Sequence, residues 1–200
     1  WVLYDDLPQG GEGLPSPKQL LSARHAIKEI DAIHPLIVAL PGEVDQDYEF
    51  RDVADIYMPD NFPVGFEVIP PDLPQDWEMH PEDVGKFIDH IYKTIGPSQK
   101  VIAHIQTLNS ENDSITWGNM PRELGRYPTR AEMRFMAYNA LIHKSQGVFF
   151  NEYRHHYNNY DRGDGVGGSD TSPRGNMKQW QAMASVAAEL KSMAPVFLAP

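Results

Sequence analysis

Short apolar runs along this chain stop abruptly at polar residues. Trp1-Val-Leu-Tyr4 halts at Asp5-Asp6, Leu36 to Leu40 at Pro41-Gly42-Glu43, and Ala54 to Met58 at Asp60-Asn61. Val101 to Ile105 halts at Gln106, and Val148 to Phe150 at Asn151-Glu152. Runs this short with nearly every position apolar fit strands covered on both faces, as in a parallel sheet. Between them the apolar period lengthens to that of a helix. Ser16-Pro17-Lys18-Gln19 has the cap, the first-turn proline and the capping-box glutamine of a helix start. Leu20, Ala23, Ile27, Ile30 and Ile33 then form a stripe, and His34-Pro35 ends it. A second helix carries Val84, Phe87, Ile88, Ile91 and Ile95 after Glu82-Asp83, with Gly96-Pro97 as its stop. A third opens on the box Thr129-Arg130-Ala131-Glu132 and carries Met133, Met136, Ala137, Ala140 and Leu141. A fourth spans about Met177 to Met193 with Trp180, Met183, Ala184, Ala187 and Leu190 on one side.

Strands alternating with helices imply an α/β fold with a parallel sheet and right-handed crossovers. Two architectures satisfy that, a closed (β/α)8 barrel and a five-stranded open doubly wound sheet; five strands in 200 residues suit the open sheet, since an eight-stranded barrel typically needs about 250 residues. No glycine-rich phosphate loop follows an early strand, which weakens the open sheet as a nucleotide binder. In either fold the carboxyl ends of the strands converge on one crevice. Three long polar stretches, roughly 61 to 79, 107 to 128 and 151 to 175, follow strand ends, where a site is expected.

Composition narrows the ligand. The chain has 200 residues, enough for one domain, with 17 basic against 28 acidic residues and a net charge of −11. That balance repels nucleic-acid backbones and anionic membranes and suits a neutral or cationic ligand. There is no apolar run of membrane-spanning length and no signal-peptide pattern at the amino end. Absence of cysteine removes disulfides and thiolate metal sites. The start at Trp1, already inside a strand-like run, reads as a piece of a longer chain.

Several segments add a resemblance. Trp1-Val-Leu-Tyr-Asp-Asp-Leu-Pro8, Ile30-Asp-Ala-Ile-His-Pro35 and Ala54-Asp-Ile-Tyr-Met-Pro-Asp-Asn-Phe-Pro63 occur in that order. Pro128 to Leu141 and Gln146-Gly-Val-Phe-Phe150 follow. Together they resemble the second half of a glycoside-hydrolase-type (β/α)8 TIM barrel, over most of residues 1 to 150. The resemblance implies that the five strands are the fourth to eighth of the barrel. Residues 1-200 would then be a single partial barrel lacking its first three βα units, and the partner of that surface would be the missing amino-terminal part. It implies a carbohydrate ligand, no nucleic acid and no membrane, and favours a secreted or periplasmic setting.

Glycoside hydrolysis uses two carboxyl groups, one protonating the leaving oxygen and one attacking carbon or activating water. Asp5 and Asp6 stand where the resembled barrels carry the acid/base, and only one of two adjacent strand residues can face the mouth. Asp6 is the candidate, in the place of a glutamate one methylene longer. At the seventh strand Gln106 stands where the nucleophile is expected, and an amide cannot serve. Glu152 is the preferred second carboxylate, within Asn151-Glu-Tyr-Arg-His-His-Tyr-Asn-Asn-Tyr160, a stretch dense in hydrogen-bonding and stacking groups. Asp5, Asp60, His104, Gln106, Trp117, Asn151, Tyr153 and Arg154 are candidate ligand contacts. No zinc pattern is present, and Asp161, Asp164 and Asp170 in a glycine-rich stretch offer calcium ligands without EF-hand spacing. The expected function is a carbohydrate-active hydrolase; the alternative is a non-catalytic barrel domain for carbohydrate binding or assembly.

Overall fold

The computed structural model describes residues 2–4, 15–41, 50–60, 63–64, 80–95, 98–107, 126–151 and 177–197. Strands β1 (Val2–Tyr4), β2 (Ile37–Pro41), β3 (Ile56–Asp60), β4 (Lys100–Val101), β5 (Ala103–Gln106) and β6 (Val148–Asn151) alternate with helices. The helices are α1 (Pro17–Ile30), α2 (Asp83–Thr94), α3 (Arg130–Ile142) and α4 (Met177–Phe197). β1 to β4 form one sheet in that order, and all its pairs are parallel. β5 and β6 pair in a second sheet. The α/β class with parallel strands follows, and it is compatible with part of a (β/α)8 barrel.

Strands β2 and β3 begin later than their apolar runs because the leading residues bond elsewhere. The Leu36 amide donates to the Asp55 carboxylate at 2.9 Å, and the Ala54 amide to the Tyr57 hydroxyl at 3.2 Å. Ile102 separates β4 from β5, yet its N–H still donates to the Tyr57 carbonyl at 2.9 Å.

The chain divides into two compact units. One comprises Trp1–Asn61, Val84–His104 and Ala140–Val148; the other comprises Phe62–Asp83, Ile105–Asn139 and Phe149–Pro200. The first has Leu36, Val38, Leu40, Tyr57, Val84, Ile88 and Val101 at its core, each at most 1% exposed. Burying side chains of this size stabilises by about 1.5–3 kcal/mol each. Ile105, Met133, Met136 and Ala137 are fully buried in the second.

Helix starts follow the expected caps. The Ser16 hydroxyl accepts from the Gln19 amide, and the Gln19 side chain accepts from the Ser16 amide at 2.7 Å. Glu132 accepts from the Thr129 amide at 2.7 Å, and Thr129 Oγ1 accepts from the Glu132 amide at 3.2 Å. Two apolar stripes differ from expectation. α1 ends at Ile30, where the Asp31 carboxylate accepts from the Ile33 and His34 amides, and Ile30 and Ile33 are about nine-tenths exposed. On α4 the buried residues are Gln179, Val186 and Leu190, so its inward face is rotated from the Trp180–Ala187 stripe. α4 also runs through Pro195 to Phe197, beyond the expected end.

Candidate functional site

Parallel pairing sets the direction of the candidate site. Ile37 to Pro41 run in register with Ile56 to Asp60, and Val2 and Tyr4 oppose Ile37 and Val38. In the first unit the carboxyl ends of β1, β2 and β3 therefore share one sheet edge, with Asp60 opposite Pro41. Polar residues gather at such edges because strand hydrogen bonding ends there and side chains are no longer covered.

The strongly shifted carboxylates are elsewhere. Asp55 precedes β3, at the strand's amino end, and receives Arg24 at 2.7 Å, Lys28 at 3.0 Å and the Leu36 amide. Burial opposes its ionisation, but the Arg24, Leu36 and Lys28 hydrogen bonds outweigh it and hold the carboxyl at about 2. These contacts fasten α1 to the start of the sheet, at the end opposite the strands' carboxyl ends. Glu132 is held at about 2, first by its paired hydrogen bonds to Arg126, at 2.9 and 2.7 Å, and then by the Thr129 cap. Burial pushes the Tyr57 phenol up to about 12, and its hydroxyl donates to the Phe50 carbonyl at 2.7 Å. All three groups are committed to holding elements together.

In the second unit, polar side chains at the carboxyl end of β5 are buried and engaged. Gln106 is fully buried. Its Oε1 accepts from the Val64 amide and its Nε2 donates to the Val64 carbonyl, both at 2.8 Å. The adjacent Thr107 is buried as well, and its carbonyl accepts from Gln179 Nε2 at 3.3 Å. Gln179 Nε2 also donates to the Pro128 carbonyl at 2.8 Å. Sequence reasoning passed over Gln179. Its signal was a polar residue seven positions before Val186 and in phase with Leu190, the period of an inward helix face.

The expected site residues fall as follows. His104 is buried within β5, a strand whose four residues are all buried. Asp60 and Asn151 are the last residues of β3 and β6. The side chains of Asp60 and Asn151 lie outside the described residues, as do Asp5, Asp6, Trp117, Glu152, Tyr153 and Arg154. The calcium candidates Asp161, Asp164 and Asp170 lie outside them too. Among the described residues no group of three or more His, Asp or Glu side chains is arranged to hold a metal. No helix among them is long and apolar enough to cross a membrane.

Comparisons with known proteins bear on the fold. No protein-family model matches the chain, and no curated protein matches it by sequence. Solved structures are similar to the chain, among them two β-galactosidases. One is a polyextremophilic β-galactosidase from the Antarctic haloarchaeon Halorubrum lacusprofundi, with a TM-score of 0.59 at 19% identity over 86% of this chain and 25% of that one. The other is a β-galactosidase from the psychrophilic Marinomonas ef1, with a TM-score of 0.60 at 15% identity over 95% of this chain and 31% of that one. The chain thus spans between a quarter and a third of the length of these proteins. At such identities the likeness is one of fold.

Proposed function

We propose that the chain is part of a carbohydrate-active hydrolase built on a (β/α)8 barrel, cleaving a glycosidic bond with two carboxyl groups. The observation that carries this is the similarity of its parallel α/β fold to two β-galactosidases over nearly its whole length. The order of strand-end motifs in the sequence agrees with it. On sequence grounds Asp6 is the proton donor to the leaving oxygen and Glu152 the second carboxylate. Glu152 attacks the anomeric carbon if the two carboxyls are about 5–5.5 Å apart, and activates water if they are about 6.5–9.5 Å apart.

One observation favours a second function, a barrel domain that binds carbohydrate without cleaving it. Gln106 stands where the resembled barrels carry a nucleophilic carboxylate, and its amide is bonded on both sides to Val64.

Hydrolysis of a panel of aryl glycosides, aryl β-galactosides included, by the complete barrel that contains this chain separates the two. The hydrolase requires turnover by the wild type and a loss of about 10²-fold or more in kcat for Asp6→Asn and for Glu152→Gln. Full activity in Asp6→Asn removes Asp6 as the acid. Saturable sugar binding without turnover establishes the second function.

A further inference from the structure

Gln106 belongs to a set of buried amides that tie down the connections after β3 and β5. Val64, its partner, lies four residues past the end of β3, and 42 positions separate the two in sequence. Both hydrogen-bonding groups of one residue's main chain are met by both groups of one side-chain amide, as a neighbouring strand would meet them. Next to it, Gln179 Nε2 joins the Thr107 carbonyl, immediately past β5, to the Pro128 carbonyl, two residues before α3.

We propose that Gln106 is a positioning residue of the strand-end site: it acts without touching ligand, by fixing the Val64 main chain at the root of the connection that follows β3. This rests on the function proposed above and assigns position 106 a role other than ligand contact or lost nucleophile. A glutamate here would be nearly the same size with different bonding. Ionised, it accepts from the Val64 amide but sets an acceptor against the Val64 carbonyl. Protonated, its O–H donates to that carbonyl and the pair of bonds returns. Burial and the facing carbonyl oxygen both favour the protonated form of such a glutamate. The Val64 main chain therefore disfavours an ionised carboxylate at this position while holding an amide.

The test compares wild type, Gln106→Glu and Gln106→Ala, each in the complete barrel that contains this chain, from pH 5 to pH 8, by thermal unfolding and by kcat and KM on the aryl glycoside the wild type cleaves best. If the wild type binds sugar without turnover, Kd replaces them. Relative to wild type, Gln106→Glu is expected to melt about 5–10 °C lower at pH 8, with the gap narrowing toward pH 5. Gln106→Ala is expected to keep a gap that does not change with pH. His104, two residues back on the same strand, is present in all three proteins. Well below the melting range, folded Gln106→Glu is expected to lose at least about tenfold in kcat/KM, or in affinity, at pH 8 and to recover at pH 5. A stability role alone leaves those ratios at one.

A Gln106→Glu gap that does not change with pH overturns the clamp. Wild-type kinetics or affinity in the folded variant overturns the positioning role, and so does a gain of hydrolysis at pH 8. A wild type that neither cleaves nor binds any glycoside overturns the function together with the positioning role, and the melting series then still decides the clamp.

Discussion

At the scale of single residues, the close approach of α2 to the turn after α3 depends on one missing methyl group. Gly85 is buried, and a Cβ built on it would lie 2.6 Å from His143 Nε2 and 2.9 Å from His143 Cγ. The ring is held over the glycine by the Asp89 carboxylate, 2.9 Å from His143 Nδ1. Alanine at 85 gains helix propensity, at most about 1 kcal/mol in a helix interior and less in a first turn. It also drives the ring off Asp89 or the helix off its seat, an overpacking cost of about 1–3 kcal/mol. The clash wins, so Gly85→Ala is expected to lower the urea midpoint. His143→Ala removes the obstacle, and adding Gly85→Ala to it is expected to be neutral or stabilising. A double-mutant cycle by urea unfolding checks this, and additive effects would show that the ring and the glycine are not in contact.

At the scale of elements, two ion-pair clusters decide how the fold responds to acid. Asp55 joins α1 to β2 and β3, and Glu132 joins the α3 cap to Arg126; both carboxyls are held at about 2, against ordinary values of 3.8 and 4.5. A carboxyl whose folded value is depressed contributes stability above its unfolded value and loses it as pH falls toward the folded one. Stability is therefore expected to be level above about pH 5 and to drop between pH 4.5 and 2, by about 1–2 kcal/mol for each cluster after allowance for partial exposure. Asp55→Asn is expected to lower stability at pH 7 and to flatten the Asp55 share of the slope. Urea midpoints measured from pH 7 to pH 2.5 read both effects, and an unchanged slope in Asp55→Asn would sink the assignment. The caps at these element ends were legible because a capping box is local, closing within Ser16–Gln19 and Thr129–Glu132. The end of α1 was not, since apolar spacing carried the stripe through Ile30 and Ile33 to His34-Pro35. A side-chain cap at Asp31 stops the helix first. The same limit hid the partners of the buried amides, for Gln106 and Gln179 bond 42 to 72 positions away, where no local pattern reaches. The strand ends themselves were legible, as the polar stops Asp60, Gln106 and Asn151 do close β3, β5 and β6.

At the scale of the whole molecule, the first strand has, among the described residues, a side without a partner in its sheet. β1 pairs with β2 and, among those residues, not on its other side. Val2 on it is 62% exposed. A strand edge carrying unpaired N–H and C=O groups beside exposed apolar side chains recruits another strand, and such edges are normally covered or blunted with charge. The net charge of −11 opposes contact between copies, but salt shortens the reach of that repulsion to about 8 Å at physiological ionic strength. The isolated 200-residue chain is therefore expected to self-associate, more strongly as salt rises. Placing lysine at that edge, Val2→Lys, is expected to reduce that association without lowering the urea midpoint, because the side chain is already more than half exposed. Sedimentation velocity at low and physiological salt reads the outcome. A wild-type chain that stays monomeric at every salt concentration and unfolds cooperatively would show that the β1 edge is covered by the chain itself. That result would remove the unpaired edge expected of a partial barrel and favour the open sheet.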